Sequence, residues 1–203
     1  NVDHTLRTVL CELIDNCLDN EADNIYINTY IDKTNNYLVI YDNGTGLENI
    51  DNIFLANNGK VNKKGCKNQG FLDSLAYLSN IKGELNIYTN YSDKFSRICI
   101  DFDAMHNEFQ KQQKKSTIDY NKCQELLISN YTKFNDRHTR ELLANNEILE
   151  KIKKGGTYIT IPLHKDVELD DIKSINSKYF QYSYNQEFTL NFMGEHIDIN
   201  NYD

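Results

Sequence analysis

Glu12 and Asn16 are the first residues along the chain whose types and spacing could do chemistry. Four positions apart, their side chains would share one helix face, about 40° apart at 3.6 residues per turn. They flank an apolar stripe of Leu6, Val9, Leu10, Leu13, Ile14 and Cys17, so they sit at a core border rather than on the solvent face. There a carboxylate could activate a water while a carboxamide oxygen ligates a hard cation such as Mg2+. A plain amphipathic helix with polar shoulders has the same pattern. A second candidate is Asp42-Asn43-Gly44-Thr45-Gly46, at the end of an apolar run. A carboxylate there can accept a hydrogen bond from an exocyclic amine, as on adenine. Gly44 and Gly46 would let the backbone take positive φ and approach a flat ligand closely. Asn-Gly is also a strong hairpin signal, so a simple turn stays open. The third candidate runs from Asn58 to Phe71, with glycines at 59, 65 and 70 and lysines at 60, 63, 64 and 67. Backbone N–H groups at a helix start beside lysines make an anion site suited to phosphates. A flexible solvated loop is the alternative.

The elements that must position these groups follow from hydrophobic periodicity. A helix is expected over 3–20, with Asp3 as its N-cap. Ile25, Ile27, Thr29 and Ile31 alternate and predict a strand over 24–31, with a more buried strand over 37–41. A short helix over 47–57, a second helix over 71–78 and a strand pair at 84–89 and 95–102 come next. Residues 103–154 are polar and rich in Lys, Gln and Asn, and read as a helical insertion without a chemical motif, its helices over 124–129 and 139–153. A strand over 157–163, a helix over 167–182 and a hairpin at 187–192 and 196–199 complete the chain.

Composition narrows the class. A length of 203 residues suffices for one domain with a substantial core, or one domain and the start of another. The net charge of -8 argues against a surface that binds nucleic acid along its length. The four lysines near residue 60 survive that argument as a local patch. Five scattered cysteines without a C-x-x-C pair fit reduced thiols of the cytoplasm or nucleus better than a disulfide frame or zinc site. No apolar run reaches membrane-spanning length, so no membrane association is expected.

Taken together, E-L-I-D-N, then D-N-G-T-G, a glycine-rich lysine loop and a late G-G-T strand resemble the GHKL ATPase superfamily. That superfamily includes gyrase B, the ninety-kilodalton heat-shock chaperones, histidine kinases and MutL. The resemblance implies an α/β two-layer sandwich, a mixed sheet with helices on one face, binding ATP and Mg2+. It implies Glu12 as general base, Asn16 as Mg2+ ligand, Asp42 as the adenine-reading carboxylate, and Gly44 and Gly46 as shapers of the base pocket. Thr157 would support Asp42 and the adenine. Gly65 to Gly70, with Asn68, Gln69 and the following Phe71, resembles the phosphate-covering lid, and Lys60 or a neighbour would meet the phosphates.

Within the superfamily the chain is most similar to the Microrchidia (MORC) ATPases. Glu12 to Asp19 is similar to their E-L-I/L-D-N-x-x-D, and Gly65 to Phe71 to their G-x-Y-G-N-G-F. Ser74 falls where they carry a serine. The stretch from Tyr179 to Ile197 is similar to the tyrosine-rich segment and hairpin that follow their G-T strand. Asn68 replaces the middle lid glycine, a departure that bears on lid closure. The expected activity is slow Mg2+-dependent ATP hydrolysis that drives lid closure and a clamp-like homodimer. Residues 1–165 would form the ATP-binding domain and 166–203 an extension that starts a transducer-like segment. DNA contact would fall to other parts of a longer protein, not to this acidic chain. A MutL- or gyrase-like domain, a histidine kinase catalytic domain and a nucleotide sensor without catalysis are the alternatives.

Overall fold

The computed structural model describes residues 5–33, 35–50, 53, 69–79, 83–104, 107, 111, 131–134, 136–137 and 147–200. Helix α1 (Leu6–Asp19) carries the apolar stripe, and Val9, Leu10, Leu13, Ile14 and Cys17 are all buried. Its N-cap is Thr5, whose hydroxyl accepts the Thr8 N–H at 3.3 Å. The cap therefore falls two residues after Asp3, which lies outside the described residues. Burying each large aliphatic side chain contributes about 1.5–3 kcal/mol, against about 1 kcal/mol for a cap. Packing, not capping, fixes where this helix lies.

Eight described strands form one sheet in the order β5-β4-β3-β6-β2-β1-β7-β8. They are β1 (Asn24–Ile31), β2 (Asn36–Asp42), β3 (Glu84–Tyr91), β4 (Lys94–Asp101), β5 (Tyr131–Phe134), β6 (Gly156–Pro162), β7 (Phe188–Phe192) and β8 (Glu195–Ile199). All neighbours pair antiparallel except β1 with β7, so the sheet is mixed. One face carries Ile25, Ile27, Leu38, Ile40, Ile87, Ile159 and Ile161 into a single core with α1 and with α2 (Gln69–Leu78). The period-2 alternation of each strand sends the intervening tyrosines to the opposite face. There Val39, Tyr88, Phe95 and Tyr158 pack with Ile152, just after a five-residue helix, α3 (Glu147–Lys151). The fold is an α/β two-layer sandwich with α1 and α2 on the main face.

Several elements differ from their expected form. The stretch 24–31 is a strand, but its expected face is buried only at Ile25 and Ile27, and Ile31 is 68% exposed. Helix α2 starts two residues early, at Gln69. The expected helix over 167–182 is two short ones, α4 (Leu169–Lys173) and α5 (Lys178–Ser183). Between them the Asn176 side-chain oxygen takes the Lys178 N–H at 3.0 Å, the local competition that makes asparagine a poor mid-helix residue. Strand β5 lies inside the segment expected to be helical. Its partner is β4, from Arg97–Phe134 to Ile100–Tyr131, and pairing across more than thirty residues overrides local preference. Of the expected helices, 124–129 lies outside the described residues, as do parts of 47–57 and 139–153. Phe192-Met193-Gly194-Glu195 closes the last hairpin with Met193 at φ 51° and Gly194 at φ 85°, the two positive values a tight two-residue turn needs. Among the described residues no helix is long and apolar enough to cross a membrane, and Cys11, Cys17 and Cys99 are free.

Candidate nucleotide site

The sheet places three polar side chains in one row on the helix-bearing face. Asp42 stands opposite Thr157, and Thr157 opposite Thr89. All three are buried, at 3%, 4% and 0% exposure. In an otherwise aliphatic face such a row needs internal hydrogen bonds, and it has them. The Gly44 N–H donates to Asp42 Oδ1 at 2.9 Å. Thr89 donates to the Gly156 carbonyl at 3.1 Å, accepts the Leu47 N–H at 2.8 Å, and lies 3.3 Å from the Thr157 hydroxyl. Burial pushes the Asp42 carboxyl up to about 6, against the pull of the Gly44 N–H, the Cys17 thiol and the Thr157 N–H. Burial also holds Cys17 well above the ordinary thiol range, with the Asp42 charge adding to it. The thiol thus stays protonated beside the carboxylate. Thr157 reaches Asp42 through its backbone, while its hydroxyl faces Thr89.

The loop after Asp42 is stitched to the end of α1. Asn20 O accepts from the Thr45 N–H at 2.8 Å and its hydroxyl at 3.3 Å. The Asn43 side-chain oxygen takes the N–H groups of Asp23 and Asn24 at 3.2 and 2.9 Å. Gly46 has φ 77°, and a Cβ there would run into the Asn90 carbonyl. At Gly44 a Cβ would meet the Asn20 carbonyl. The close approach that these glycines permit is therefore to the chain's own backbone, which sets the loop's shape. Only Gly46 needs the positive φ.

Helix α1 brings the carboxylate–carboxamide pair to the same side. The Asn16 amide donates to the Glu12 carbonyl at 2.7 Å, leaving its oxygen without a donor among the described residues. Glu12 packs on the first turn of α2: a Cβ on Gly70 would collide with Glu12 Oε2. Ser74 donates to the Gly70 carbonyl at 2.7 Å and lies 3.5 Å from the Val9 carbonyl, which pins that turn against α1. Phe71 is 1% exposed and belongs to the core, so only its backbone can serve a ligand. Gln69 opens α2, whereas Lys60, Gly65 and Asn68 lie outside the described residues. Sequence reasoning does not single out Thr89. A polar residue in an alternating strand looks the same whether it faces water or a pocket, and only strand register decides.

A helix start with a carboxylate and a carboxamide beside it, and a buried carboxylate at a strand end, are the polar groups that a nucleotide site in an α/β domain requires. The family model for histidine kinase-, DNA gyrase B- and HSP90-like ATPases matches residues 4–135. The chain belongs to that family, and its ligand is ATP. No curated protein matches the chain.

Proposed function

We propose that the chain hydrolyses ATP slowly with Mg2+, and that closure over the γ-phosphate drives a clamp-like homodimer in the manner of the MORC ATPases. The observation that carries this reading is the placement of Glu12 against Gly70, at the mouth of α2. A carboxylate there is where a water attacking a phosphate held at that helix start would need its base. Asp42 accepts from the adenine amine, with Gly44, Gly46 and Thr157 shaping the base pocket. The N–H groups of Gln69, Gly70 and Phe71, with Lys60, Gly65 and Asn68, receive the phosphates. Glu12 takes the proton of the attacking water as it displaces ADP in line, so the chain contributes mainly position and charge. Among the described residues no three His, Cys, Asp or Glu side chains are grouped so as to hold a metal ion. The Asn16 oxygen suits Mg2+, which takes few protein ligands and completes its shell with phosphate and water. Bound there, Mg2+ would neutralise charge on the phosphates.

The same reading divides the chain at residue 165. Residues 166–203 would relay movement of α1, since Tyr184 donates to the Cys11 carbonyl at 3.1 Å and β7 pairs with β1. It also places the protein inside the cell, in cytoplasm or nucleus. Phosphate release with ATP and Mg2+ tests turnover, and sedimentation with an ATP analogue against ADP tests the dimer. Dimer with the analogue alone supports the clamp, while an unchanged mass with both leaves a monomeric ATPase.

Gly70→Ala perturbs the Glu12 contact while leaving the Gly70 N–H in place. The new methyl meets the free end of a flexible side chain, and alanine is favoured over glycine in a helix by about 0.8–1 kcal/mol. Stability is expected to hold or rise. Hydrolysis is expected to fall by roughly 10²-fold, since an ångström of displacement at the reacting centre costs that much. Unchanged phosphate release in a folded Gly70→Ala protein would remove this contact from the mechanism.

A further inference from the structure

The face of the sheet away from α1 and α2 carries a row of tyrosines in register, Tyr26, Tyr41, Tyr158 and Tyr88, one from each of β1, β2, β6 and β3. Tyr26 stacks on Tyr41 with ring centres 4.7 Å apart, and Tyr41 on Tyr158 at 5.7 Å. Lys151, the last residue of α3, sets its ammonium over three of these rings. It lies 5.7 Å from the centre of Tyr26, 5.0 Å from Tyr41 and 5.7 Å from Tyr158. Its one carboxylate partner among the described residues is Glu147, 4.0 Å away with a side chain 93% exposed. An ion pair that wet contributes little, so the rings are the main partner of this half-buried cation.

Two of those tyrosines adjoin the nucleotide row directly. Tyr41 precedes Asp42 and Tyr158 follows Thr157, each pointing to the opposite face from its neighbour. Beyond Lys151 the chain returns to the site within six residues. The Asn90 amide donates to the carbonyls of Ile152 and Lys153 at 2.8 and 3.0 Å, and Ile152 is fully buried. Gly155 and Gly156 then pass so close to Gly44 and Asp42 that a Cβ on Gly156 would strike the Asp42 carbonyl. The Gly156 carbonyl accepts from Thr89. A cation on one face is thereby joined, through a short latched segment, to the wall of the pocket on the other.

We propose that Lys151 is a positioning residue for ATP: seated on Tyr26, Tyr41 and Tyr158, it holds the Gly155-Gly156-Thr157 turn against Asp42 from the far side of the sheet. Lys151 touches no ligand. It acts by keeping the turn in the shape that accepts the adenine, and it rests on the ATP site described above. Neutral side chains at position 151 therefore weaken ATP binding even though the pocket's own residues are intact.

Calorimetric titration with a non-hydrolysable ATP analogue and Mg2+ tests this in the wild type, Lys151→Met, Lys151→Arg, Glu147→Gln and Tyr26→Leu, with thermal unfolding to verify folding. Lys151→Met is expected to weaken binding about two- to thirtyfold, the span of a cation–ring contact expressed as an affinity ratio. Lys151→Arg keeps the cation and is expected to recover most of that loss. Glu147→Gln is expected to stay within about twofold of wild type. Tyr26→Leu removes one of the three rings without touching the lysine, and combined with Lys151→Met it is expected to add little, since that ring's contact with the cation is already gone. Wild-type affinity in Lys151→Met and Tyr26→Leu would overturn the proposal, as would equal losses in Lys151→Met and Lys151→Arg, or full additivity of the pair. Should Lys151→Met not fold, Tyr26→Leu alone decides. A wild type that binds no analogue would instead reject the ATP site itself, a result distinct from intact binding in all variants.

Discussion

Glu12→Gln is expected to bind ATP within a few-fold of wild type while phosphate release falls about 10²- to 10⁴-fold, the usual cost of losing a general base. The amide has the shape of the carboxylate, so its packing on Gly70 survives, but it cannot take a proton from water. Single-turnover phosphate release with binding measured in parallel separates the two effects. Unchanged turnover would remove Glu12 from the chemistry. A large loss of affinity would show that its role is to shape the junction of α1 and α2. The prediction differs from that for Gly70→Ala, which displaces the same carboxylate with its charge intact.

Asp42→Asn is expected to separate binding from stability. An amide can present a donor to the adenine amine, and a buried mispaired group costs about 1–3 kcal/mol, or about fivefold to 150-fold in affinity. Stability is expected to move the other way. Burial raises the Asp42 carboxyl from 3.8 to about 6, so between those values the folded protein holds a proton that the unfolded chain has released. The contribution of such a group is fully present below the unfolded value and is lost as pH rises through the folded one. By pH 7 the wild type has lost up to about 3 kcal/mol at this position. The amide avoids that loss and still accepts the Gly44 N–H. Urea unfolding at pH 4.5 and pH 7 is expected to show Asp42→Asn gaining on wild type as pH rises. A parallel pH dependence in both proteins would mean that Asp42 is not the strained group, and unchanged ATP affinity would reduce Asn43-Gly44 to a turn.

The helix around Glu12 and Asn16 was legible because its apolar spacing, Leu6 to Cys17, is itself the physical cause of its packing. The strands that carry Asp42 and Thr157 were legible as short runs rich in aromatic and β-branched residues, and both are buried along nearly their whole length. What escaped notice depends on pairing between distant segments. Thr89 gains its meaning only from standing opposite Thr157, sixty-eight residues on, and β5 only from standing opposite β4. The helix over 167–182 failed on a local rule: Asn176 prefers its own backbone to the helix, and periodicity does not register that choice. Gly44 and Gly46 were read as room for a ligand, yet the space is filled by the carbonyls of Asn20 and Asn90. Spacing shows that a backbone comes close to something, not to what.

In the proposed complex the Asp42 row reads adenine while the start of α2 receives the phosphates. The most direct test is a calorimetric titration of the wild type with non-hydrolysable analogues of ATP and GTP, each with and without Mg2+. One analogue per chain is expected, with ATP preferred over GTP, since guanine presents a carbonyl to the Asp42 carboxylate where adenine presents an amine. Mg2+ is expected to tighten binding through the Asn16 oxygen. Equal affinity for the two analogues, or no binding of either, would contradict the account.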